Sequence, residues 1–341
     1  MEDIFKGKTV LITGGTGFLG KSITKRLLEL EPHAIRLFSN SEVEHFQAQK
    51  LFQDDRIRHF FGDVRDFERL KQACKGADIV IHAAAMKRID LIEYNVMDAI
   101  KTNVVGTMNT VQACLENKVE KAVFVSTDKA CSPINSYGAT KMLGERIFIE
   151  SNYSKGPSKT VLTSVRYGNV IESTGSVIPF FIEKIQKGQN IPLTDKRMSR
   201  FIITPDRAVD LVFTAVKNGI GGEVFVPKLK ALKVVDLIDV LREQYGRGAG
   251  IEEIGIRPGE KIHEELVNAD EATRCYEMNG DYVVLNQIDD TPVEKRYPFL
   301  KGKRPVDFAS YCSRDFVVGK EEIKRILGEA GCLGKGATCE I

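Results

Sequence analysis

The 341-residue chain is long enough for two domains, or for one large α/β body with an added lobe. Hydrophobic residues make up 43% and charged residues 28%, ordinary soluble usage that excludes collagen-like, disordered and coiled-coil classes. Lysine plus arginine (49) nearly cancels aspartate plus glutamate (47), and a net charge of +2 gives no electrostatic basis for a dedicated nucleic-acid binder.

No apolar run approaches the roughly 18 to 20 residues that span a bilayer. Met1-Glu2-Asp3 leads into a β-like stretch by Lys8 without the pattern of a secretory leader. The expectation is a cytoplasmic protein with no membrane partner. The seven cysteines are odd in number and scattered, without a Cys-x-x-Cys pair, and the five histidines show no His-x-x-x-His spacing. Neither a disulfide framework nor a metal site is expected.

Short β-branched runs alternate with amphipathic segments from the start. Strand-like 9–13, 34–39, 57–62, 78–82, 122–126 and 162–166 are separated by helical 18–31, 42–52, 66–75 and 96–117. Such alternation predicts βαβ units on a Rossmann-type, doubly wound parallel sheet. Beyond residue 168 the rhythm loosens into helical patterns at 176–187, 205–217, 233–245 and 259–267 and short strands at 223–226 and 251–256. The expected organisation is a dinucleotide-binding domain over 1–168, to which a segment near 204–227 returns. A smaller, partly interleaved substrate lobe follows over 169–330, with a loose tail at 331–341.

Thr13-Gly14-Gly15-Thr16-Gly17-Phe18-Leu19-Gly20 lies between the first strand and the first helix, where backbone N–H groups at a helix N-terminus can hold a pyrophosphate. Gly14 permits the turn, Gly17 the close approach of phosphate and Gly20 the packing of the helix. The second strand ends in Phe38-Ser39-Asn40-Ser41-Glu42, where an acid reads the ribose of NAD or an arginine the 2'-phosphate of NADP. Neither stands at the strand end, and Glu42 reads first as a solvated first-turn residue of the next helix. NADP is favoured because no acid there repels its phosphate, with NAD open. Asp63, after the third strand, is either an acceptor for the adenine amino group or a turn and cap residue.

Tyr137-Gly-Ala-Thr-Lys141 puts a phenol and an ammonium on one face of a helix. A tyrosine, with a reference pKa of about 10, needs a neighbouring positive charge to act as a base. The pair follows Ser126-Thr127-Asp128-Lys129 at the end of the fifth strand, where catalytic groups gather in this architecture.

The Gly-x-x-Gly-x-x-Gly spacing resembles the extended short-chain dehydrogenase/reductase superfamily. More closely, Ser126 to Lys141 resembles the C5-inverting UDP-N-acetylglucosamine 4,6-dehydratases of bacterial surface-sugar pathways. So do Gly62–Asp66, His82–Lys87, Lys101–Asn103, Arg166–Val170, Gly175–Phe181, Met198–Phe201 and Ile256–Glu264. The resemblance implies cofactor contacts at Gly14, Thr16, Gly17, Phe18, Gly20, Ser39, Asn40, Asp63, Val64, Ala83, Ala84 and Lys141. It implies that Tyr137, supported by Lys141 and Thr127, begins oxidation at carbon 4 of the sugar. Lys129 then takes the carbon 5 proton, with its pKa lowered by burial, and Asp128 protonates the departing carbon 6 hydroxyl. Lys87, Asn169, Arg200, Arg257 and Glu260 are implied to hold the UDP-sugar, and the protein to be a homo-oligomer.

Two departures stand out: Asn40 where the family has arginine, and Glu172-Ser173-Thr174 where it has Gly-Ser-Arg. A pocket changed at the second could release a UDP-5,6-ene sugar instead of the keto product. A UDP-sugar 4-epimerase or net oxidoreductase would share Gly14, Tyr137 and Lys141 but has no need of the Asp128-Lys129 pair. A non-catalytic nucleotide sensor would dispense with Tyr137 or Lys141.

Overall fold

The computed structural model describes residues 4–171, 177–246, 248–288 and 291–333. The Glu172-Ser173-Thr174 departure and the tail from residue 334 lie outside them. The first half is built as the alternation predicts: β1 (Thr9–Thr13), α1 (Phe18–Leu28), β2 (Ala34–Ser39), α2 (Glu42–Leu51), β3 (Ile57–Phe61), α3 (Phe67–Cys74), β4 (Ile79–His82), β5 (Lys121–Val125) and β6 (Val161–Val165). Val10, Leu11, Ile12, Val80 and Ile81 are wholly buried, as a parallel strand covered on both faces requires. Helix starts are set by side-chain caps: Ser41 accepts from the Glu44 N–H and Asp66 from the Arg69 N–H.

The main sheet has nine strands in the order 275–278, 281–284, 224–226, β6, β5, β4, β1, β2, β3. The reversal of order falls between β1 and β4, and the crevice at the carboxyl ends of those strands is where such sheets take ligands. Val224–Val226 runs parallel to β6, and the antiparallel pair Cys275–Met278 and Asp281–Val284 extends the sheet beyond it. Residues 275–284, which the sequence leaves in the second lobe, thus belong to the first body.

The second lobe gathers Asn169–Val170, Ser199–Ile203 and Ala231–Lys233 into a three-stranded sheet. Helices Val177–Gln186, Val234–Tyr245 and Lys320–Glu329 pack a separate core there, including Phe181, Ile238, Leu241, Ile323 and Leu327. The helix expected over 259–267 does not form. Gly259 has φ +77°, Glu265–Val267 pairs with Tyr311–Cys312 as a strand, and His263 meets the Ser199 hydroxyl at 2.8 Å. No helix of the described residues is long and apolar enough to cross a membrane.

Candidate active site

The glycine loop has the stereochemistry of a phosphate cradle. Gly14 sits at φ +68°, and a Cβ on it would come within 2.9 Å of the Ala84 backbone nitrogen. A Cβ on Gly20 would lie 2.5 Å from the Gly15 carbonyl oxygen, so helix and loop meet without a side chain between them. Gly17 is the N-cap of α1 and supplies no side-chain acceptor, and the first turn, from Phe18, holds no acid. The first-turn N–H groups are therefore offered to an external anion. Ala83 and Ala84 are tied across to β1 through the Thr13 carbonyl and hydroxyl. These residues fit the pyrophosphate of a dinucleotide.

At the adenosine end, Asn40 donates to Asp63 Oδ2 at 2.9 Å, and the Arg65 guanidinium grips both oxygens of Asp63 at 2.9 and 2.7 Å. Burial opposes the Asp63 charge, but Arg65 and Asn40 hold the carboxyl below its ordinary pKa. The turn role left open by the sequence is thus filled. Val64 is buried, with its carbonyl accepting from Asn109 at 2.9 Å, and Ser39 is buried at the strand end. Glu42 is exposed, as expected of a first-turn residue. The sequence favours NADP because no acid stands at the end of β2, but the fold brings one toward the glycine loop from α2. Glu44, one turn into α2, reaches back so that its Oε2 accepts from the Thr16 hydroxyl at 2.8 Å. The Ser41-x-x-Glu44 spacing places Glu44 on the first turn of α2, and the fold turns its side chain toward the loop.

At the other end of the crevice, Thr127, Asp128 and Lys129 leave β5 in a single tight turn. Asp128 is fully buried and its Oδ1 accepts from both the Thr127 hydroxyl and the Lys129 ammonium at 2.9 Å. Its Oδ2 is buried without a hydrogen-bond partner. Lys129 Nζ also donates to Asn169 Oδ1 at 3.2 Å and lies 3.7 Å from Glu264. The expectation of a lowered Lys129 pKa is not met: burial pulls it down, but the carboxylates of Asp128 and Glu264 more than compensate, and it stands above its ordinary value. Tyr137 is pushed up to about 12 by burial, against the Lys129 charge and a hydrogen bond shared with Thr127. Lys141 is buried, donates to the Val125 carbonyl and lies 4.1 Å from the Phe124 ring centroid. Burial lowers its pKa to about 7.

The Tyr137 helix, Ser136–Ser154, approaches this turn so closely that a Cβ on Gly138 would lie 2.1 Å from the Lys129 carbonyl oxygen. Asn135 caps it, accepting from the Gly138 N–H at 2.7 Å while donating to the Gly259 carbonyl at 2.7 Å. Residues 257–264 of the second lobe are thereby laid over the site. Lys261 adds a 2.6 Å bond to the Cys131 carbonyl. Arg200 joins the cluster 3.9 Å from Glu264 and 3.6 Å from Glu260, but its terminal nitrogens donate to the carbonyls of Ser199, Lys261 and Ile262. Arg257 is exposed, and its guanidinium pairs with no described residue. Lys87 follows the triple alanine, near enough to Glu44 for the carboxylate to support its charge against burial.

Three supporting residues fall in segments that carry the resemblance, but the sequence assigns them no role. Asn103 sits in a π-helical turn, Ile100–Val105, and its amide bonds the Met86 backbone at 2.8 and 3.0 Å and the Thr140 hydroxyl at 3.0 Å, joining the loop after β4 to the Tyr137 helix. Arg166 is buried between Glu145 of that helix and Glu271, bonded to both carboxylates at 2.6 to 2.9 Å. Glu264, also buried, shares Lys129 with Asp128.

Residues 10–286 match the family model described as polysaccharide biosynthesis protein. The chain belongs to that family. Within it, the chain is 41% identical over 316 residues to the UDP-N-acetylglucosamine 4,6-dehydratase (inverting) of Campylobacter jejuni, covering 91% of this chain and 93% of the relative. It is 35% identical over 332 residues to the UDP-glucose 4-epimerase of Rickettsia prowazekii, covering 95% and 96%. Pen from Bacillus thuringiensis superposes with a TM-score of 0.90 at 40% identity, over 97% of this chain and 100% of that one. The dTDP-glucose 4,6-dehydratase DesIV of Streptomyces venezuelae, solved with NAD bound, shares the fold at TM-score 0.67 and 21% identity, over 74% and 86%. The nine-stranded, mostly parallel sheet with its added lobe is thus the fold these solved structures share.

Proposed function

We propose that the protein is a UDP-N-acetylglucosamine 4,6-dehydratase of the C5-inverting kind, a lyase acting with a nicotinamide dinucleotide. The observation that carries this reading is the part-buried Asp128–Lys129 hydrogen bond near Tyr137, with the buried Asp128 Oδ2 unpartnered. When bound, the nicotinamide takes hydride from carbon 4 of the sugar and returns it at carbon 6. Tyr137 removes the carbon 4 hydroxyl proton, and because burial has raised its pKa to about 12, it depends on nearby positive charge to do so.

The ketone formed at carbon 4 acidifies the proton on carbon 5. Lys129 accepts that proton once it is neutral, and the 2.9 Å bond gives its own proton a destination on Asp128. One transfer along this bond turns an ammonium–carboxylate pair into an amine and a carboxylic acid, a base and an acid on adjacent residues. Exclusion of water by the sugar favours that neutral pair, because both charges lose solvation together. Asp128 then gives that proton to the departing carbon 6 hydroxyl, which leaves as water, and returns to carboxylate. Reprotonation of carbon 5 from the opposite face gives a 4-keto-6-deoxy-L-hexosamine still attached to UDP.

The diphosphate falls to Arg257, whose guanidinium fork suits its oxygens, and to Lys87, with Asn169 facing the sugar. Arg200 and Glu260 hold the covering segment in place. Incubation with UDP-N-acetylglucosamine, followed by mass and proton NMR, tests the reading. Loss of one water over many turnovers, without net reduction of cofactor, is expected. A 4-epimerised product of unchanged mass would overturn it, as would stoichiometric accumulation of reduced cofactor. The epimerase reading, favoured by the Rickettsia relative, leaves the Asp128–Lys129 pair without work.

The six described cysteines are free and buried, which suits the reducing cytoplasm. A homo-oligomer is proposed through the helical stretch 89–116, where Leu91, Tyr94, Met97, Val105 and Met108 stand exposed. Monomeric sedimentation at micromolar concentration would refute it.

A further inference from the structure

Within the dinucleotide site, the Thr16–Glu44 bond points to a cofactor preference opposite to the one the sequence favours. We infer that Glu44 makes this site select NAD over NADP, acting as the acceptor for the adenosine ribose hydroxyls. This rests on the proposed binding of a nicotinamide dinucleotide and is independent of which sugar is turned over.

Four observations meet at the end of β2. Thr16 belongs to the glycine loop and Glu44 to the first turn of α2, so their 2.8 Å bond spans the gap between the pyrophosphate cradle and the strand end where an adenosine ribose lies. Asn40 is committed to Asp63 at 2.9 Å, and Arg65, the nearest guanidinium, is spent on both oxygens of that same carboxylate. His45 is held by the Ser39 carbonyl at 3.1 Å through Nε2 and by His59 at 3.1 Å through Nδ1. Lys87, after β4, is near enough to Glu44 for that carboxylate to support its charge, so it is already paired.

A ribose 2'-hydroxyl brought to this place finds a carboxylate acceptor whose present partner is one hydroxyl. A 2'-phosphate finds the same carboxylate as a like charge and no cation outside an existing pair, where a charge-assisted fork is what makes NADP sites selective. Like-charge juxtaposition of this kind selects against the phosphate. The two substitutions that matter are therefore coupled: an arginine at Asn40 alone would be drawn onto Glu44 and Asp63.

The test is a calorimetric titration of nucleotide-stripped protein with NAD and with NADP. The native protein is expected to bind NAD at least ~10-fold more tightly, about 1.4 kcal/mol. Glu44→Gln should shrink that ratio at least ~5-fold, and the Asn40→Arg/Glu44→Lys pair should invert it. Nucleotide released by acid from the protein as purified, identified by mass, should be NAD, a readout that needs no variant to fold. Equal or tighter NADP binding by the native protein, an unchanged ratio in Glu44→Gln, or released NADP would overturn the inference. Turnover of UDP-N-acetylglucosamine is scored separately. NAD selectivity without turnover counts against the dehydratase reading alone, and turnover with NADP selectivity against the Glu44 inference alone.

Discussion

At the β2 end of the crevice, polar groups are satisfied in exposed or part-buried contacts: Asp63 by Arg65, Ser41 by the Glu44 N–H, Thr16 by the Glu44 carboxylate. At the reacting end, charges are more deeply enclosed and are answered both locally and from far along the chain: Lys129 by Asp128 and Glu264, Arg166 by Glu145 and Glu271. The difference teaches where each kind of change is felt. An exposed pair exchanges with water, so altering it re-tunes which ligand binds. A buried charge cannot, so altering it strikes reaction or folding outright.

The largest effects should come from the reacting cluster. Lys129→Ala should lower turnover by roughly 100- to 10,000-fold, about 3 to 5.5 kcal/mol, and abolish deuterium incorporation at carbon 5 from heavy water. Hydride removal from carbon 4 should survive in a single turnover, since Tyr137 and Lys141 are untouched. Tyr137→Phe should fail earlier, with no cofactor reduction at all. Near-normal carbon 5 exchange in Lys129→Ala would hand the base role to another residue and erase the main contrast between the two ends.

Next in size is Arg166→Met, which strands Glu145 and Glu271 in the interior. It should cost about 3 to 5 kcal/mol in urea unfolding. A loss under ~1 kcal/mol, the usual size for a surface pair, would show that water reaches these carboxylates and that the reacting end is no more enclosed than the other.

Lys141 sharpens the comparison through pH. Its pKa in the fold is about 7 against 10.5 when free, so between those values the unfolded chain binds more protons and stability rises with pH. Below about 7 both states are protonated and the penalty of the buried ammonium is present in full. Relative to Lys141→Met, the native protein should therefore gain up to about 1.4 kcal/mol per pH unit across that window. Parallel stability curves for the two proteins would mean that Lys141 keeps its ordinary pKa in the fold.

The smallest effect belongs to the adenosine end. Ser41→Ala removes the cap of α2 and should cost about 1 kcal/mol, with turnover under saturating cofactor unchanged. A large loss of turnover instead would show that the two ends are mechanically coupled.

The alternation of β-branched runs with amphipathic ones and the spacing of Gly14, Gly17 and Gly20 are local properties. So are Tyr137 and Lys141 on one helical face, and each specified its element from the sequence alone. Period and turn stereochemistry are decided by neighbours a few residues apart, which is why β1 to β6 and the glycine loop were legible. What completes the answer to a buried charge is decided by residues far along the chain, Glu264 for Lys129 and Glu271 for Arg166. Lys129 was expected to be depressed because burial was foreseeable and Glu264 was not; only the fold sets that carboxylate 3.7 Å from the ammonium. The helical pattern at 259–267 failed for a related reason: Asn135, Arg200 and the strand at Tyr311–Cys312 claim the backbone of that segment in place of its own helix. Glu44 was hidden differently, since one side chain of a surface helix becomes part of a ligand site only through the direction in which the tertiary structure turns it.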